Sequence, residues 1–149
     1  MNADTLKKIT DKVPAFRDLT TRQLHGMIQA GETIVSEQGT VLCKEGETST
    51  DMFILLSGEL SVETNNMQLT AVKTSDIVGE MSLITGLPRS ATIKVVKEAT
   101  LFIVRKQEFD SLMRENADLA AKVYRNMLLS LCSKLRDTNI HLVASSLGV

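Results

Sequence analysis

The pattern of apolar positions changes period twice along the 149 residues. Near the N-terminus the spacing is helical. Thr20-Thr21-Arg22-Gln23 has the form of a capping box, and Leu24, Met27 and Ile28 supply one apolar face, which predicts a short helix over residues 20–30. Residues 32–105 break into short β-prone runs: Thr33-Ile34-Val35, Thr40-Val41-Leu42-Cys43, Met52-Phe53-Ile54-Leu55-Leu56 and Glu59-Leu60-Ser61-Val62. Gln68-Leu69-Thr70-Ala71-Val72, Ala91-Thr92-Ile93-Lys94-Val95-Val96 and Thr100-Leu101-Phe102-Ile103-Val104 continue the series. Polar or glycine-bearing turns separate them, and Asn65-Asn66 suits a tight hairpin. Such a set closes either as a barrel or as a jelly roll.

From Lys106 the period is helical again. Phe109, Leu112 and Met113 form one stripe, and Asn116 predicts a helix cap after a hinge, with Asp118 in the first turn of the next helix. In that final helix Tyr124, Leu128, Leu131, Leu135, Thr138 and Leu142 alternate in steps of four and three. The spacing fits a coiled-coil seam, and equally a helix packed on its own barrel. Residues 144–149 read as a frayed tail.

Composition narrows the class. The chain is 43% hydrophobic and 23% charged, with a formal net charge of −1, so one soluble globular domain over 1–149 is expected, without the basic face of a nucleic-acid binder. No apolar run reaches the ~20 residues of a membrane span, and the polar N-terminus is unlike a signal peptide. The expectation is cytoplasmic, with no membrane association. Cys43 and Cys132 stand apart and read as small apolar residues, and two isolated histidines, His25 and His141, suggest no metal site. No nucleophile–base set suggests a catalytic residue.

The chemistry is concentrated in residues 78–93. Gly79 permits close backbone approach, Glu80 follows, and Met81-Ser82-Leu83-Ile84 can form a helical turn whose first amides point at an anion. Thr85-Gly86-Leu87-Pro88 turns the chain back and brings Arg89, a planar two-donor fork suited to phosphate, to the mouth of that turn. Ser90 adds a hydroxyl. The segment reads as a pocket for a phosphate on a hydroxyl-bearing sugar.

Gly79-Glu80-Met81-Ser82-Leu83 followed by Pro88-Arg89-Ser90-Ala91 resembles the phosphate-binding cassette of the cyclic-nucleotide-binding domain family, the domain of catabolite activator proteins and protein kinase A regulatory subunits. Val78 stands where many members carry an aromatic residue. Phe16-Arg17-Asp18-Leu19-Thr20, Glu45-Gly46-Glu47, the run 51–60 and the 109–116 hinge are also similar to family segments. The resemblance implies a mainly β fold: a jelly-roll barrel over about 32–105 with its cassette at 78–92, an N-terminal helix, and hinge and final helices over 106–143. It implies a non-catalytic sensor of cyclic AMP or cyclic GMP that repositions its C-terminal helices on binding. Arg89 would pair with the exocyclic phosphate oxygens, Glu80 with the ribose 2′-hydroxyl, and the amides of Ser82, Ser90 and Ala91 with phosphate. Thr138 and Asn139, with Lys134 and Arg136 behind them, would lie over the base. Related transcription regulators pair through the final helix, which favours a homodimer. Too few residues follow Thr138 for a helix-turn-helix, so the expectation is a stand-alone module or the sensory part of something larger. The alternative is a degenerate interaction module that keeps the fold and binds no nucleotide. No cofactor is implied, and the output protein and the base are unspecified.

Overall fold

The computed structural model describes residues 11–65 and 67–148. Met1 to Thr10, Asn66 and Val149 lie outside them, and with them most of the leader reading, half of the Asn65-Asn66 turn and the last residue of the tail. A 3-10 turn, Pro14–Phe16, precedes helix α1, Thr21–Gln29. The capping box forms: the Thr20 hydroxyl accepts from the Gln23 amide, and the Gln23 side chain accepts from the Thr20 amide. Leu24 and Met27 are buried as the pattern predicts.

The β region is an antiparallel jelly-roll barrel built from β1 (Gly31–Ser36), β2 (Val41–Cys43), β3 (Met52–Thr64), β4 (Met67–Val72), β5 (Ile77–Val78) and β6 (Thr92–Val104). The order is β1-β6-β3-β4, with β2 also on β6 and β5 also on β3. The runs at 52–56 and 59–62 are not separate strands, nor are those at 91–96 and 100–104. Each pair merges into one 13-residue strand, and β3 and β6 pair along their length with register shifts near Ser57 and Glu59. Ser57-Gly58 reads as a turn in sequence, but Gly58 sits at φ 94° and is absorbed as an irregularity in the strand.

Alternation along β3 and β6 supplies two cores. Met52, Ile54, Phe102 and Val104 point to the helices, where they meet Phe16, Met27 and Phe109. Phe53, Leu55, Leu101 and Ile103 point into the barrel with Leu60, Val78 and Val95.

Helix α2, Glu80–Thr85, interrupts the strands; α3, Lys106–Glu115, and α4, Ala117–Ser146, close the chain. Asn116 caps α4 as predicted, its side chain accepting from the Leu119 amide. The helix continues through Ser146, so the expected start of a frayed tail at 144 is corrected: Ala144, Ser145 and Ser146 are compatible with helix, and no proline stops it. Leu119, Val123 and Met127 are its buried apolar face, and Asn126 donates from its amide to the Ala15 and Arg17 carbonyls. Gln23 donates to Asp118, and Lys122 bridges both, which holds the Asp118 carboxyl below its ordinary range. Tyr124 leans edge-on against Phe109, while Leu128, Leu135 and Leu142 remain exposed.

Gly58 is the position where the strand pairing is most sensitive to a side chain. A Cβ there would lie 2.2 Å from the Glu98 carbonyl oxygen and 2.6 Å from Ala99 Cα, at a φ that side chains avoid. Gly58→Ala is expected to cost about 2 kcal/mol or more, combining left-handed strain with backbone overlap. In a chain of this size that lowers the melting temperature by roughly 4 °C or more. An unchanged thermal midpoint would mean that the β3–β6 irregularity relaxes freely.

Candidate functional site

Residues 78–92 fold around one buried guanidinium. Arg89 is 4% exposed, and its position is fixed by both its backbone and its side chain. Its amide donates to the Glu47 carbonyl and its carbonyl accepts from the Gly46 amide, each at 2.8 Å. Its Nε donates to Ser49 Oγ at 3.0 Å, one terminal nitrogen to the Gly79 carbonyl at 3.3 Å, the other to the Asp51 carbonyl at 2.8 Å. The guanidinium carbon also lies 5.9 Å from the Phe53 ring centre. A guanidinium has five N–H donors, so these bonds leave one on each terminal nitrogen. No buried side-chain nitrogen or oxygen among the described residues lacks a partner. Arg89 is also among the residues that line a cavity.

Gly79 has a reason within the protein itself. It caps α2 at φ 81°, and a Cβ there would fall 2.6 Å from the Asp51 carbonyl and 2.7 Å from an Arg89 terminal nitrogen. The close approach that requires glycine is that of the protein's own Arg89–Asp51 contact.

Glu80 begins α2 and is buried. Its Oε1 accepts from Lys134 Nζ of α4 at 2.7 Å, and the same ammonium donates to the Ile77 carbonyl at 2.5 Å. Lys106, from the first turn of α3, donates to the Leu83 carbonyl at 2.7 Å. The short cassette helix is thus held at one end by the hinge helix and at the other by the final helix. Ser82 is buried, while Ser90 is exposed with its hydroxyl only 3.8 Å from Met81 Sδ, too weak a contact to occupy it.

These groups surround a cavity of about 700 Å³. Val78, Gly79, Glu80, Met81, Ser82, Arg89, Ser90 and Ala91 all line it, and Thr138 closes the far side with Lys134 and Asp137. Asn139 is exposed and is not among the lining residues; Ile140 is. The helical period accounts for this, since a face containing 134, 137 and 138 turns 139 away. Thr138 donates its hydroxyl to the Lys134 carbonyl in the same helix. Cys43 also lines the cavity, and burial pushes its thiol above the ordinary range although the Arg89 charge opposes this. Sequence reasoning set Lys134 behind the site and missed Cys43 and Asp137. It also missed Ser49 and the Asp51 and Ile77 carbonyls, which carry no side-chain signature. Among the described residues no three His, Cys, Asp or Glu side chains cluster as metal ligands, and no helix is long and apolar enough to cross a membrane.

A barrel with a buried arginine, an acidic cassette helix and a closing helix defines a cyclic-nucleotide-binding type of domain. Residues 29–116 match the family model described as "Cyclic nucleotide-binding domain", and the chain belongs to that family. It is 28% identical over 116 residues to a cyclic nucleotide-gated potassium channel of Rhizobium etli, covering 78% of this chain and 32% of the channel. It therefore spans about a third of that relative. A cyclic nucleotide-binding domain from Methylobacillus flagellatus has a TM-score of 0.84 at 21% identity, over 95% of this chain and 84% of that one. The Thermus thermophilus catabolite activator protein has a TM-score of 0.74 at 20% identity, over 89% and 63%. These structural likenesses extend the family's fold to both C-terminal helices.

Because Arg89 satisfies carbonyls of two separate segments, it is also a structural residue. Arg89→Lys supplies fewer donors from a single point and leaves buried carbonyls unpaired, with an expected cost of about 2 kcal/mol or more. Chemical denaturation without added ligand measures this. Wild-type stability in the variant would show that the buried network contributes nothing to the fold.

Proposed function

We propose that this chain is a non-catalytic sensor of cyclic AMP or cyclic GMP. The observation that carries the reading is that Arg89, with only three of its five donors bonded, lines the same cavity as a buried carboxylate, Glu80. A cyclic nucleotide offers the complementary set: an anionic phosphate beside a ribose hydroxyl. Arg89 takes two exocyclic oxygens as a fork, and the amides of Ser82, Ser90 and Ala91 add neutral donors. Glu80 accepts the 2′-hydroxyl. Val78, Gly79 and Met81 form the adjoining wall, and Thr138 covers the base. The likeness to a nucleotide-gated channel supports the same ligand class.

Signalling follows from the two lysine ties. Nucleotide drawn onto the cassette helix α2 bears directly on Lys106 of the hinge helix and Lys134 of the final helix. Ligand affinity then becomes a difference in stability between placements of α3 and α4. The setting is the cytoplasm, with no metal or prosthetic group involved and an output protein yet to be identified.

Isothermal titration with cyclic AMP and, separately, cyclic GMP tests the reading. Saturable binding is expected to at least one of them. Arg89→Lys should weaken it roughly ten- to hundredfold, the range of a lost charge-assisted contact. Folded protein that takes up neither nucleotide would leave an interaction module of the same fold.

The exposed stripe of α4 supports a homodimer through the final helix. Leu128, Leu135 and Leu142 recur every seven residues and are 60%, 61% and 63% exposed. Seven-residue spacing supplies one of the two apolar positions per heptad that a two-helix seam uses. Light scattering should give twice the 16.4 kDa chain mass, and Leu128→Glu with Leu135→Glu should return it to one chain without unfolding the barrel. A monomeric wild type at working concentration removes the dimer.

A further inference from the structure

Six of the chain's seven methionines fall among the described residues, and burial divides them. Met27, Met52, Met113 and Met127 are at most 6% exposed and pack into the core between barrel and helices. Met67 and Met81 are 65% and 54% exposed. Met67 opens β4 and is not among the residues that line the cavity. Met81 does line it, from the first turn of the cassette helix. Among the described residues it is therefore the methionine that a small solute reaches from the cavity, while the four core sulfurs are shielded.

The surroundings of Met81 Sδ give its oxidation a consequence. The Ser90 hydroxyl lies 3.8 Å from the sulfur, and a thioether is a weak acceptor, so the contact constrains neither group. Both side chains line the cavity with Arg89 and Ser82. A hydroperoxide changes this. The sulfur lone pair attacks one peroxide oxygen, and the S–O bond forms as the O–O bond breaks. Sulfur gives up two electrons, and the other oxygen leaves with the proton as water or an alcohol. The product is a polar, chiral sulfoxide; a dithiol reductase reverses the step, its thiols becoming a disulfide as the oxygen leaves as water. The sulfoxide oxygen, a far stronger acceptor than the thioether, competes for the Ser90 hydroxyl. It also adds partial negative charge to the cavity that Arg89 lines, where the proposed ligand is itself an anion.

We propose that Met81 is a reversible oxidation site through which hydroperoxides lower the affinity of the cavity for its cyclic nucleotide. The inference rests on the cyclic-nucleotide reading of that cavity. It adds a second chemical input to the same pocket, read by a thioether beside the phosphate-binding groups.

The test treats the chain with hydrogen peroxide and then with dithiothreitol, which returns sulfenic acids and disulfides to thiols and leaves sulfoxides in place. Peptide mass mapping locates the added oxygen, thermal melts confirm that each sample is folded, and titration with the better-bound cyclic nucleotide gives the affinity. Sulfoxide should appear at Met67 and Met81 before the four buried positions. Oxidised wild type should bind roughly three- to tenfold more weakly, the worth of one neutral hydrogen bond. Met67→Leu should show the same loss, and Met81→Leu should show none relative to its own untreated affinity. Met81→Gln, whose amide oxygen stands in for the sulfoxide, should be weakened without peroxide. Undiminished binding with sulfoxide at Met81 overturns the proposal, as does peroxide that leaves Met81 unmodified. A loss that persists in Met81→Leu also overturns it, by placing the sensitive sulfur elsewhere in the chain. Untreated wild type that binds neither nucleotide overturns the nucleotide reading, and this inference with it.

Discussion

A guanidinium removed from water dictates the layout of this molecule. Burying a permanent cation is unfavourable unless its donors are met, and Arg89 cannot shed its charge. The chain answers with acceptors from three directions: a hydroxyl at Ser49, a carbonyl at Asp51 and a carbonyl at Gly79. Those carbonyls belong to the approach to β3 and to the cap of α2, so one side chain fixes how the cassette docks on the barrel. The requirement for glycine at 79 follows from it, since any Cβ would occupy the space of that contact. The phosphate contact proposed for the site would use what remains of the same arginine after its structural bonds are made.

The cassette helix is too short to be stable alone and depends on what holds its ends. Leu83 offers its carbonyl to Lys106, and Glu80 offers its carboxylate to Lys134. The same six residues are therefore in contact with the barrel, the hinge helix and the final helix. The ties to the two helices are discrete hydrogen bonds.

The two ends of the barrel region were legible for a physical reason. Thr20 with Gln23, and Asn116 ahead of Leu119, are local motifs whose donors and acceptors lie within three residues of each other, and both form as read. The cassette was legible because glycine, carboxylate and arginine recur at a spacing few other structures need. Continuity of β3 and β6 was hidden, because Ser57-Gly58 and Lys97-Glu98 have the composition of turns and only the paired strand shows that they are bulges. Seven-residue spacing on α4 was visible, but the face it defines is not the face that packs: Leu119, Val123 and Met127 take that part. Contacts made through backbone carbonyls, as at Asp51 and Ile77, leave no trace in residue identity. The pairing of Lys134 with Glu80 joins residues 54 positions apart and depends on the rotation of a helix about its axis.

Asn126 gives the architecture a mechanical property. It is buried, and its amide holds the carbonyls of Ala15 and Arg17, while Gln23 and Asp118 tie the start of α1 to the start of α4. The opening turn of the chain and its closing helix are consequently one splinted piece, anchored at opposite ends of the sequence and laid across the barrel. Residues more than a hundred positions apart thereby share one rigid contact.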